Sequence, residues 1–214
     1  MPRLITRLAL VAATLLSAWP AFAVAGDLVV VARTAKGAPM VDAVVMVQPS
    51  QSRDMPAKFA QPLRMSQHDL KFDPFVLAVP VGAEMAFPNE DKVRHQVFSF
   101  SAVKRFELRL YGKDQPRVVV FDKPGVVAVG CNIHDSMAGF IKVVDAPYAV
   151  KTDASGRAVF RDLPAGAAVV RLWHPYLKAP QGEIRDAATI PASGSVERQM
   201  SGDLRPAPAA APAF

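Results

Sequence analysis

One cysteine in 214 residues has nothing to pair with inside the chain, so no intrachain disulfide braces this fold. Basic runs are missing too, and no aromatic ladder is interleaved with positive charge, which argues against nucleic acid as a partner. Past the first two dozen residues, no apolar run approaches the length of a membrane span. Internal repeats are lacking, and no amphipathic helical pattern persists beyond two turns.

What is present begins with an export signal. Arg3 and Arg7 precede an apolar run from Leu8 to about Ala18; Pro20 breaks it, and Ala21, Ala23 and Ala25 offer A-x-A cleavage sites. Residues 1–25 are therefore expected to be a signal peptide, removed on export to the periplasm, with no stable membrane insertion afterwards. Loss of Arg3 and Arg7 takes 25 Lys and Arg to 23 against 19 acids, and the formal charge from +6 to +4, a mild basic excess. An exported chain meets an oxidising compartment, where cysteines usually pair. Cys131 is then an intermolecular bridge, a reactive thiol, an inert buried side chain or a metal ligand.

The mature chain reads as all-β, in short Val-rich or alternating runs separated by Gly, Pro, Asn and Asp. GDLVVVA and VDAVVMV flank TAKGAPM and suggest a hairpin. RFELRLY keeps a period of two, with Phe106, Leu108 and Leu110 on one face and Glu107 and Arg109 on the other. Strands spaced at about ten residues favour an antiparallel sandwich or barrel. The linker candidates are 48–62 and 145–156, and the tail 201–214 is Pro/Ala-rich and expected to be disordered.

Cys131, His134 and Met137 fall in CNIHDSM, between the apolar runs VVAVG and GFIKVVD. A loop at the end of a sandwich can aim three side chains at one point. Thiolate, imidazole and thioether form a soft donor set that suits copper, and such a site needs a second imidazole. His95, at the start of the run HQVFSFS and after Pro88 and Asn89, is the best candidate. Taken singly each residue has a plain structural explanation: buried free cysteines are common, and methionine often fills cores. His68 with Met65 makes too small a donor set for a second metal site. A cysteine hydrolase needs a positioned base and an oxyanion pocket, and the spacing here suits ligation better.

Residues from about 64 to 145 resemble a cupredoxin, the superfamily of plastocyanin, azurin and amicyanin. FDPFVLAVPVGAEMAFPNEDKVRHQVFSF resembles the family's opening up to its first ligand histidine, and FDKPGVVAVGCNIHDSM resembles its closing strand and ligand loop, with amicyanin-like spacing. The whole chain is similar to exported plastocyanin-like proteins often labelled methylamine utilisation proteins. The resemblance implies a Greek-key β-sandwich over 55–145 and one type 1 copper held by His95, Cys131, His134 and, axially, Met137. It implies single-electron transfer with a redox partner such as a cytochrome or dehydrogenase, and not an enzyme. It also implies an apolar rim around His134, for which Ile133, Pro88 and Ala138 are candidates. Gln96 and Ile133 depart from the family's frequent Asn and Pro, which bears on potential and partner.

The flanks resemble a second family. GDLVVVARTAKGAPMVDAVVMVQP and KTDASGRAVFRDLPAGAAVVRLWHP are similar to the two halves of a carboxypeptidase-regulatory-like, transthyretin-like sandwich. This implies a discontinuous domain, 26–50 plus 147–200, with the cupredoxin inserted at a loop. Trp173 is expected in a core and His174 at a strand end. Two other functions stay open: copper storage or delivery with the same ligands, and a metal-free binding module for carbohydrate or a partner protein.

Overall fold

The computed structural model describes residues 25–51, 59, 62–113, 117–134 and 136–207. The expected signal peptide, all but its last residue, and the tail beyond 207 lie outside them. Among the described residues no helix is long and apolar enough to cross a membrane.

The chain is all-β. Two strands come first, β1 (Ala25–Thr34) and β2 (Val44–Pro49). Nine follow in the middle: β3 (Ser66–His68), β4 (Lys71–Asp73), β5 (Val76–Pro80), β6 (Ala83–Phe87), β7 (His95–Phe100), β8 (Arg105–Tyr111), β9 (Arg117–Phe121), β10 (Gly125–Cys131) and β11 (Ala138–Val144). Six close the chain: β12 (Tyr148–Lys151), β13 (Arg157–Pro164), β14 (Gly166–Trp173), β15 (Leu177–Lys178), β16 (Glu183–Ile190) and β17 (Ser195–Leu204).

These strands stack in four layers. The first is β13-β1-β17-β15 and the second β12-β2-β14-β16. The third is the five-stranded sheet β5-β11-β10-β7-β8, and the fourth comprises the ladders β6-β9 and β3-β4. Three cores fill the spaces. Leu28, Val30, Val45, Val47, Leu172 and Phe160 pack between the first two layers. Val44, Met46, Trp173, Val76, Ala78 and Val144 pack between the second and third. Val97, Val127, Ile141, Met85, Phe87 and Phe121 pack between the third and fourth. The unbroken run VVMV in β2 serves this stacking: Val45 and Val47 face one core, Val44 and Met46 the other. Trp173 is buried, in the middle core.

The first hairpin expected from the sequence does not form. β1 pairs with β13 and β17, whereas β2 pairs with β12 and β14, so the two strands lie in opposite sheets. Between them Met40 is fully buried, and Asp42 takes a left-handed φ of 58° that turns the chain across the core. The linker expected at 145–156 is largely structured as well. It contains β12, and the Asp153 carboxylate accepts from the amides of Ser155 and Arg157 at 2.8 and 2.9 Å to build the turn into β13. β17 runs to Leu204, so the disordered tail expected from 201 begins inside a strand.

That Asp153 turn needs Gly156. Its φ is +76°, and a Cβ there would sit 2.5 Å from the Ala32 carbonyl oxygen and 3.1 Å from the Met40 amide nitrogen, both backbone. Gly156→Ala is expected to lower stability by at least about 2 kcal/mol. The check is a fall in urea midpoint at unchanged slope.

Candidate metal centre

Strand alternation on the third layer aims the key side chains inward. In β7, His95, Val97 and Ser99 are buried and the residues between them are not. In β10, Val127, Val129 and Cys131 are buried in the same way. Cys131 pairs with Val97, two residues past His95, so the imidazole and the thiol stand on the same face of neighbouring strands. The strand partners Gly130 and Ala138 then close the loop that follows, holding His134 and Met137 over the same end of the sheet. The Met137 amide donates to the His134 carbonyl at 2.9 Å, which tightens that loop.

The three nitrogen and sulfur ligand atoms of His95, Cys131 and His134 lie within 4.8 Å of one another. His95 Nδ1 is 3.7 Å and His134 Nδ1 3.8 Å from Cys131 Sγ. The two rings meet edge-on with centroids 5.0 Å apart. Zinc-type bonds of about 2.0–2.1 Å to nitrogen and about 2.3 Å to sulfur, opened to about 110–120°, separate the donor atoms by about 3.5–3.8 Å. The spacing therefore admits a first-row ion between them. Met137 is 2% exposed and packs in the same core as Cys131. His95 is fully buried, Cys131 is 4% exposed and His134 is half-buried, beside Ile133 at the surface.

An acid not anticipated from the sequence orients His95. Its Nε2 lies 2.8 Å from Asp91 Oδ2. The same carboxylate accepts from the Asp69 amide at 2.8 Å and the Leu70 amide at 3.1 Å. Burial would raise the Asp91 carboxyl, but the hydrogen bonds from His95, Leu70 and Asp69 outweigh it and hold the group below the usual carboxylate range. An ionised carboxylate only accepts, so the shared proton sits on Nε2. The other ring nitrogen, Nδ1, then faces the sulfur. Carboxylate–histidine pairs of this kind fix ring and tautomer at metal sites. Asp69 and Leu70, both with positive φ (52° and 56°), form the tight turn between β3 and β4 that presents the two amides.

Asn89 pins the loop that carries Asp91. Its Oδ1 accepts from the Asp91 amide at 2.9 Å, and its Nδ2 donates to the carbonyls of Val93 and Tyr111 at 2.8 and 3.0 Å. Tyr111 is placed by a β-bulge. Between the pairs His95–Tyr111 and Val97–Leu108, β7 has one residue and β8 has two. The bulge corrects the sequence reading of RFELRLY: Leu110 turns out to solvent and Tyr111 turns in, donating from its hydroxyl to the Phe87 carbonyl at 2.8 Å. Burial pushes the Tyr111 phenol up.

Gln96, on the outer face, donates to Glu107 at 2.6 Å and accepts from Asn132 at 3.4 Å, tying the ligand loop to β8. The other histidines stand apart. His68 is mostly exposed with Nδ1 3.4 Å from Asp69, whereas Met65 is fully buried, so they make no second site. His174 is buried and its Nδ1 accepts from the Tyr176 amide at 3.1 Å; burial lowers its pKa from the ordinary value.

No protein-family model matches the chain, and no curated protein matches it. Among solved structures, the Cu-containing nitrite reductase from Thermus scotoductus SA-01 is 25% identical with a TM-score of 0.37, over 45% of this chain and 27% of the reductase. The chain thus spans about a quarter of that protein's length. A purple cupredoxin from Nitrosopumilus maritimus is 20% identical with a TM-score of 0.35, over 38% of this chain and 98% of the cupredoxin. A mutant of amicyanin in its reduced Cu(I) form is 21% identical with a TM-score of 0.36, over 47% of this chain and 98% of amicyanin.

Proposed function

We propose that this is an exported copper protein that carries single electrons, in which His95, Cys131 and His134 would be the principal ligands and Met137 a fourth, weaker one. The observation that carries the reading is the pair of imidazole Nδ1 atoms 3.7 and 3.8 Å from one buried sulfur. Two imidazoles, a thiolate and a nearby thioether suit copper better than a hard ion. Bound there, copper supplies a one-electron couple between Cu(II) and Cu(I).

The chain's own contribution is a fixed frame. His95 and Cys131 sit on hydrogen-bonded neighbours of a five-stranded sheet, and Asp91 locks the His95 ring from behind. Ligands that cannot move add little reorganisation to an electron transfer. Burial of Cys131 keeps oxidants from the sulfur. His134 is the ligand nearest solvent, and of the rim residues the resemblance suggests, Ile133 and Ala138 are exposed and Pro88 is half-buried. We place the exchange of electrons with a partner protein there, a cytochrome or dehydrogenase by class, and read the protein as a carrier in the periplasm. The first two layers are read as a transthyretin-like module made of two chain segments.

The test is a redox titration of the mature chain, from Gly26 onward, loaded with one equivalent of copper. Reversible uptake of one electron per chain, with copper retained through dialysis against EDTA, is expected. Ready stripping by the chelator would replace the carrier with a delivery protein, and absence of a redox response would leave a metal-free sandwich.

A further inference from the structure

The third layer has an inner face toward the His95, Cys131 and His134 cluster and an outer face toward the second layer. Only part of the outer face is covered. Val76, Ala78 and Val144 are buried against the second layer, with Val126 and Phe140 at the margin. Strand pairing carries the same face onward: Phe140 pairs with Ala128, Ala138 with Gly130, and Gly130 with Phe98. Phe100 follows on β7. Ala128 and Ala138 are exposed, and Phe100, at 74%, is the most exposed large apolar side chain among the described residues.

This uncovered strip is ordered. The Phe98 and Phe100 rings pack 5.0 Å apart. The Phe98 ring lies over Gly130 so closely that a Cβ there would be 3.0 Å from its Cζ. An apolar strip that continues an internal interface into solvent is the pattern of a surface awaiting a protein. Its border is basic. Arg105 pairs directly with Phe100, and Arg109 lies further along β8. Neither guanidinium has an ion pair among the described residues, whereas nearby Lys104 already holds Asp122 at 3.1 Å. The intervening carboxylate, Glu107, accepts from Gln96.

We propose that the outer face of β10, β7 and β8, centred on Phe98 and Phe100, is a docking surface for a protein with an apolar centre and an acidic rim. Aromatic side chains supply large contact area at small entropic cost, and unpaired arginines at the rim steer an acidic partner. Gly130 is bonded to Cys131, so under the copper reading a partner docked here sits one residue from the sulfur and would be a second redox protein, besides the one that exchanges electrons at His134. Docking itself does not depend on copper.

The experiment is amide NMR of the mature chain, metal-free and copper-loaded, titrated with an acidic c-type cytochrome and separately with a basic one. Shifts at Phe98, Phe100, Ala128 and Gly130 are expected with the acidic cytochrome only, weakening as salt rises. Phe100→Asp should weaken that binding about tenfold or more, whereas Val169→Asp, on the second layer, should not. Equal binding of the basic cytochrome would overturn the proposal. So would shifts confined to Ile133 and His134, or no shift at these amides. Shifts there that grow with protein concentration alone would assign the face to a second copy of the chain and overturn it as well. Binding that persists in a protein without a copper spectrum would sink the copper reading and leave the docking surface standing.

Discussion

Glu183→Leu is expected to destabilise the protein by about 3–5 kcal/mol, because it strands buried positive charge between the second and third layers. Lys142 on β11 and Glu183 on β16 form an ion pair of 2.6 Å with side chains only 8% and 9% exposed. The second oxygen of Glu183 faces Arg171 and Arg185 at 3.6 and 3.7 Å, beyond hydrogen bonding. The ammonium of Lys142 also stands over the Trp173 ring, 5.6 Å from its centre. With the carboxylate gone, Lys142 loses its direct ion pair among the described residues and keeps the contact with that ring, while the Arg171 guanidinium remains close. Arg171 is less affected, since it also pairs with Asp145. The double variant Lys142→Met/Glu183→Leu should recover to within about 1 kcal/mol of the parent or exceed it, because a buried pair rarely outperforms packed apolar groups of similar volume. Urea unfolding of the two variants decides the matter. Equal losses in both would mean that packing at this interface, and not stranded charge, sets the cost.

Asp91→Ala is expected to weaken copper binding about 10- to 100-fold without unfolding the sheet. The carboxylate accepts from the His95 imidazole and from two turn amides, so its loss frees the ring to rotate and to change tautomer. The ligand atoms themselves are untouched. Competition against a chromophoric chelator reads the affinity, with Asp122→Asn as a surface control. Unchanged affinity in the Asp91 variant would show that burial alone holds the His95 ring.

Much of this was legible in the chain. The apolar runs and their punctuation gave an all-β molecule. The convergence of His95, Cys131 and His134 follows from alternation on two strands plus a short loop, and both patterns are visible in HQVFSF and CNIHDSM. What escaped the sequence lay in pairing. Asp91 acts through amides 21 and 22 residues away, and a backbone amide leaves no residue-type signal. The bulge in β8 hid behind an alternation that is formally unbroken, so Leu110 read as sharing a face with Phe106 and Leu108. The first two strands looked like a hairpin because the short stretch TAKGAPM lies between them. The partners that separate them come more than a hundred residues later. Exposure of Phe100 could not be read either, since the second layer covers part of one sheet face and leaves the rest open.

The decisive observation is the visible and EPR spectrum of the mature protein titrated with Cu(II), beside Cys131→Ser. An intense blue band with small copper hyperfine splitting, saturating at one equivalent and absent in the variant, is expected of a thiolate-bound copper between His95 and His134. A weak spectrum that the variant shares would contradict it, leaving Cys131 as a buried thiol in a β-sandwich that does not hold copper through sulfur.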